Sequence, residues 1–302
     1  MPMYIRTLSR ELMRQGHEVM IVALEIGLAE DIPQSVFGYF TADNFPNPDV
    51  LLLNEPESEQ LMDMYPDVPA YQIIHSATKY DAPIKRWPQI NRYISSRKQI
   101  TDWILDQGIP AEKIIEIPLP VDFKNFKIMG TKPYPKKSYK YDIASISTID
   151  NLRLPMFKDL IERAKAGQEI LIAGKDYGAL GDLKQYEDVR HLTIIPDEVF
   201  DVRPLIAMSK RVAGIYNGLI TLEAKIMGKQ CLIYDETGKH RLESPSPALA
   251  DHEVSNVVNH FMQLFTEIRA DIIIPHHNRA DLLAECLKSI PKLNFNVIVA
   301  KY

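Results

Sequence analysis

The chain has 302 residues, 46% of them apolar, with a formal net charge of −5. That length can bury two moderate cores, and the negative balance denies it the general positive field of a nucleic-acid binder. Cys231 and Cys286 lack metal-ligand spacing, which excludes a disulfide framework and a patterned zinc site and points to a reducing compartment. Runs such as VMIVAL and DVLLL are far shorter than a membrane span and no signal-peptide core is present, so the sequence reads as a soluble cytoplasmic protein.

Tyr4 to Gln15 carries Ile5, Leu8 and Leu12 on one helical face and stops at Gly16. Strands are predicted over 19–24, 50–53, 71–74, 93–95 and 114–117, with a helix over 98–107. The stretch KPYPKKSYK, 132–140, breaks the rhythm and reads as a linker; its four lysines also suit peripheral contact with anionic lipid headgroups. The alternation then resumes with strands over 143–147, 169–173, 192–195, 211–215 and 230–234 and helices over 156–166, 202–209 and 219–227. Such alternation predicts an α/β protein of two Rossmann-like parallel-sheet domains, with ligands bound at the carboxyl ends of the strands. The expected domains are 1–130, 141–265 and a short β-α-β segment, 270–302.

The most informative segment is IYNGLITLEAKIMGKQCLIYD, 215–235. Asn217 and Gly218 both tolerate positive φ and precede a helix whose first amides can face an anion. Glu223 follows one turn later among Leu219, Leu222 and Ile226, so its carboxylate must be solvated, paired or holding hydroxyls.

Six segments taken in order, IRTLSRELMRQGHEVMIV, PDVLLLNEP, IIHSA, the stretch YISSRKQITDWILDQGIPAEKIIEIPLPVDFKNF, LRLPMFKDLIERA with EILIAGKD, and ITLEAKIMGKQCLIYD, resemble family 4 glycosyltransferases of the GT-B type. The resemblance covers most of residues 4–235. It implies two facing Rossmann-like domains, a nucleotide-sugar donor, a glycan or lipid-linked acceptor, transfer that retains the anomeric configuration, no metal or cofactor, and a place in polysaccharide biosynthesis. It further implies that Glu223 holds the donor ribose, that Arg153 clamps the diphosphate, that Asn217, Gly218, Thr221 and Leu222 complete the donor site, and that His75 contacts the transferred sugar as the candidate catalytic residue. A carboxylate accepts two hydroxyl hydrogen bonds and a guanidinium binds phosphate bidentately, so both residue types suit those tasks.

Three departures accompany the resemblance. Ile215 stands where the family's first motif glutamate would hold the sugar, Ser147 stands where it has an arginine, and the N-terminal domain is expected to lack its first strand. Residues 270–302, with IIIPHHNR and a helical pattern through Leu282, Leu283 and Leu287, resemble the opening of a family 2, GT-A-type glycosyltransferase. His276 and His277 there read as loop histidines, since no carboxylates accompany them. Two functions are therefore carried: a sugar-transferring enzyme, and a noncatalytic nucleotide-binding GT-B protein or part of a larger bifunctional glycosyltransferase. A nucleotide-sugar epimerase on the same architecture is a third class.

Overall fold

The structure is a computed structural model that describes residues 2–23, 31–36, 39, 41, 43, 45, 48–54, 59–75, 84–130, 139–197, 199, 201–266, 271–276 and 296–301. Linker residues 131–138, His277, Cys286 and the helical pattern from Leu282 to Leu287 lie outside the described residues. The chain divides into two compact units: residues 11–118 with 255–302, and residues 1–10 with 119–254.

Helix α1 (Pro2–Arg14) opens the chain, and its Tyr4, Leu8 and Leu12 are all buried, as their spacing requires. In the first-named unit β1 (Ile21–Ala23) pairs in parallel with β2 (Gln34–Val36). There follow β3 (Leu51–Leu53), α2 (Glu59–Met64), β4 (Ala70–Ile74), β5 (Ile90–Ser95), α3 (Lys98–Asp106) and β6 (Ile114–Glu116). These strands form a wholly parallel sheet in the order β3-β4-β5-β6. All five residues of β4 are buried, as expected of a parallel strand covered on both faces. Ile100 and Ile104 of α3 fill the core beside Leu53, Ile74 and Tyr93.

The second unit contains α4 (Phe123–Gly130), β7 (Tyr141–Ile146), α5 (Leu154–Lys165), β8 (Ile170–Ala173), α6 (Leu180–Lys184), β9 (Leu192–Ile195), α7 (Arg203–Met208), β10 (Ser209–Ile215), α8 (Leu219–Ile226), β11 (Gln230–Tyr234) and β12 (His240–Glu243). Its six strands run in the order β12-β11-β10-β7-β8-β9. All neighbours are parallel except β12, which pairs antiparallel with β11 at the edge.

Two apolar clusters cover the two faces of this sheet, and β8 shows why. Its Leu171 and Ala173 join Phe126, Ile206 and Leu222 from α4, α7 and α8, whereas Ile170 and Ile172 join Phe157, Leu160 and Leu183 from α5 and α6. Period-2 alternation thus feeds both layers of a doubly wound unit. The chain order reverses between β7 and β10, so the switch point lies at their carboxyl ends.

Helix α9 (Val254–Thr266) rejoins the first unit from Ser255 onward, and β13 (Asp271–His276) pairs in parallel with β14 (Asn296–Lys301). Among the described residues no helix is long and apolar enough to cross a membrane, and no group of three His, Cys, Asp or Glu could hold a metal ion.

Candidate functional site

At the switch point β10 ends in a tight reversal. Gly218 N–H donates to Ile215 O at 3.1 Å, and the two central residues, Tyr216 and Asn217, have φ of +54° and +57°. This is the dihedral signature of a type I′ turn, normally built from Gly, Asn or Asp, so Tyr216 sits in a backbone well that costs about 1 kcal/mol or more. The strain is tied down on both sides. Tyr216 N–H donates to Tyr234 O, its hydroxyl donates to the Glu236 carboxylate, and the buried Lys225 ammonium donates to Asn217 Oδ1 at 2.6 Å. Lys225 also donates to Glu243 Oε2 at 2.5 Å, fastening β12 to the same turn. Positive φ therefore falls on Tyr216 and Asn217, one residue earlier than the Asn-Gly pair suggests.

Gly218 caps α8 in an extended conformation. The helix lies close on β10, because a Cβ at Gly214 would stand 2.6 Å from Thr221 Cγ2. Thr221 is fully buried and its hydroxyl donates to Gly218 O at 2.7 Å, while Leu222 points into the core. The amides of both residues also donate to Gly218 O. Their backbone groups are thus committed, and the open amides of the first turn belong to Leu219 and Ile220. The sequence places a turn before this helix and the structure has one, but which amides stay open depends on which residue caps the helix, and spacing does not show that.

Glu223 is 4% exposed. No hydrogen bond from a described residue stabilises its ionised form; burial, with the Asp201 carboxylate nearby, pushes its carboxyl up to about 8. Asp201 is held in turn by Arg203, at 2.7 and 2.8 Å, which keeps it below the usual carboxylate range. A buried carboxyl without protein donors is a costly arrangement, and hydroxyl groups from a ligand would offset that cost.

At the carboxyl end of β7, Ser147 leads into a loop that carries Arg153. Arg153 is the residue before α5, and Pro155 occupies the first turn of that helix. Its guanidinium is paired with Asp150, whose carboxylate also accepts from Thr148 Oγ1 at 2.7 Å and from Arg153 N at 3.1 Å. Ile215 does not face this edge as a ligand group would; it packs in the core with Leu232 and Tyr234.

The neighbouring loop after β8 is zipped onto the β7 loop. Ile149 N–H donates to Lys175 O at 2.9 Å and Tyr177 N–H donates to Ile149 O at 2.8 Å. Gly174, at φ +151°, permits this approach, since a Cβ there would lie 1.9 Å from Ser147 O.

His75 belongs to the other unit, at the carboxyl end of β4, where its Nε2 is hydrogen-bonded to Asn54 Oδ1 beyond β3. With Asn54 oxygen as acceptor, Nε2 carries the proton and Nδ1 is left as an acceptor. Burial, together with the Arg97 charge, pushes the imidazole down to about 4, so it is neutral at physiological pH. The sequence-predicted residues thus fall into two groups: Arg153, Asn217, Gly218, Thr221, Leu222 and Glu223 in the six-stranded unit, and His75 in the four-stranded one.

This architecture, two Rossmann-like units with parallel sheets, is the GT-B fold of glycosyltransferases. Among solved structures, Anabaena HepE in complex with UDP-glucose aligns with TM-score 0.62 at 13% identity, covering 86% of this chain and 85% of that one. HepE in complex with UDP and glucose aligns at 0.59 and 12% identity over 95% of both chains. The lipopolysaccharide outer core galactosyltransferase WaaB, in its apo form, aligns at 0.52 and 13% identity over 86% of each chain. No protein-family model and no curated protein matches the sequence.

Proposed function

We propose that the protein is a glycosyltransferase that takes a sugar from a nucleotide-sugar donor, with retention of configuration, and passes it to a glycan or lipid-linked acceptor in polysaccharide biosynthesis. The observation that carries the reading is Glu223, a buried residue whose carboxyl has no hydrogen-bond donor among the described residues and which sits on the helix that starts at the switch point. Ribose hydroxyls supply the two donors such a group needs, and the open Leu219 and Ile220 amides suit the adjoining phosphate. Arg153, oriented by Asp150, would give directional hydrogen bonds to the diphosphate; Asn217 and Gly218 would shape the turn against it. Thr221 and Leu222 would hold α8 in position. UDP and UDP-glucose, bound by HepE, are the natural first probes.

His75 would meet the transferred sugar as a neutral imidazole, positioning a hydroxyl rather than donating charge. The nucleotide sugar is the substrate and no cofactor is invoked. A cytoplasmic location with peripheral membrane contact fits a lipid-linked acceptor.

A second reading, a nucleotide-binding protein without turnover, is favoured by Ile215, which puts an aliphatic side chain into the core at the position of the sugar-binding glutamate. The deciding experiment is calorimetric titration of UDP and UDP-glucose into the wild type and Glu223→Ala, together with release of UDP from UDP-glucose. Unchanged binding in Glu223→Ala sinks the ribose role; binding without UDP release over long incubation selects the second reading.

A further inference from the structure

At the carboxyl edge of the six-stranded sheet the charge accounting is uneven. A donor diphosphate carries two negative charges, and Ser147 supplies none of the compensation. Arg153 is already neutralised by Asp150, with both side chains about three-quarters buried. Such a pair can still orient hydrogen bonds but offers little net field. Lys158, the other basic residue close in sequence, lies further along α5 on its exposed side.

Lys175 is different. It follows β8 directly, and its carbonyl accepts the Ile149 amide, which fixes its backbone beside the loop running from Ser147 to Arg153. Gly174 brings the two strands' ends into contact at Ser147 O, so any other residue there would push Lys175 away from that loop. The Lys175 side chain is exposed, and among the described residues no carboxylate pairs with it. Its neighbour Asp176 is occupied, accepting the amides of Gly178, Ala179 and Leu180 through one oxygen at 2.9–3.1 Å. Among the described residues the ammonium lies 5.7 Å from the ring of Tyr177, itself 60% exposed.

Resting on the nucleotide-donor reading, we propose that Lys175 supplies the positive charge for the donor diphosphate at the edge where Ser147 has none. Strand β8 is two places from β10, about 10 Å by ordinary strand spacing. A diphosphate starting at the first turn of α8 and crossing the end of β7 therefore runs toward Lys175, whose four-carbon stem reaches across the remainder.

The test is calorimetric titration of UDP, uridine and inorganic pyrophosphate into the full chain as wild type, K175Q, K175R and R153Q. K175Q is expected to bind UDP and pyrophosphate on the order of tenfold to a hundredfold more weakly, the scale of one charge-assisted hydrogen bond. Uridine binding should not change, and K175R should recover most of the loss. R153Q should cost less than K175Q. Equal UDP affinity in wild type and K175Q overturns the inference while leaving the nucleotide reading intact. If the wild type binds pyrophosphate in a Lys175-dependent way but neither UDP nor uridine, the nucleotide reading falls and the anion site stands. Binding of none of the three probes by the wild type overturns both.

Discussion

On the proposed ribose role of Glu223, raising the pH from 6 to 8.5 should strengthen the binding of UDP-glucose, because the carboxyl must first lose a proton. Glu223 is nine-tenths buried and holds its proton up to about pH 8, with burial as the main cause and Asp201 as the second. Two hydroxyl donors stabilise the ionised carboxylate, so the binding-competent form is the one that the empty site disfavours. At pH 7 the ionisation costs about 1.4 kcal/mol, roughly tenfold in affinity, and at pH 6 about twice that. Between pH 6 and 8.5 the apparent affinity should rise roughly 80-fold, and binding at pH 7 should release close to one proton. A nucleotide sugar is the right probe, since its diphosphate diester does not titrate in this window; neither does His75, neutral above about pH 4. The assay is isothermal calorimetry in two buffers of different ionisation enthalpy. Affinity independent of pH, with no buffer-dependent heat, would refute the reasoning.

The same proton has a consequence for stability. Glu223 titrates higher in the folded than in the unfolded chain, so the folded state binds the extra proton between about pH 4.5 and 8 and loses stability as pH rises through that window. Glu223→Gln should therefore gain on the wild type by on the order of 3 kcal/mol between pH 5 and pH 8 in urea unfolding; a constant difference contradicts the buried carboxyl. Gly174→Ala places a methyl on Ser147 O at a φ of +151° and should cost about 2 kcal/mol or more, read from the urea midpoint. Lys225→Met takes the ammonium donor from Asn217 and one of the two cations from Glu243, for an expected loss of about 2 kcal/mol and weaker nucleotide binding. Retention of full stability would mean that the Tyr216–Asn217 turn holds itself. If sugar transfer is detected, His75→Ala should lower kcat without removing a pH limb near 6.5, because the imidazole does not ionise there.

Much of the second unit was legible because long apolar-periodic segments met clear stop signals. The helix beginning at Leu219 and the strand Gln230–Tyr234 fall where periodicity and Gly228 place them. Strand β12, HRLE, was not legible: it is polar and mostly exposed, and only pairing with β11 makes it a strand. Helix α9 is not among the predicted elements although its Val257, Phe261 and Leu264 recur at helical spacing, since no Gly or Pro stop follows it before Asp271. Within the site, residue identity came from the resemblance, but its electrostatics did not. That Asp150 captures Arg153, that Lys225 buries its ammonium against Asn217, and that Asp201 stands beside Glu223 are tertiary facts, invisible to spacing.

The return of α9 to the four-stranded unit sets an order of assembly. Tyr71, in the middle of β4, is 2% exposed; its ring meets Phe265 at 5.3 Å and its hydroxyl reaches Leu264 O. The ribosome delivers β4 nearly two hundred residues before the helix that covers this side of it. Residues 119–254 form one uninterrupted stretch and can complete their sheet first, while the earlier-made unit waits with an aromatic surface open. Until α9 is made, the side of β4 that it covers stays open, and the contact that covers it has to close across nearly two hundred residues.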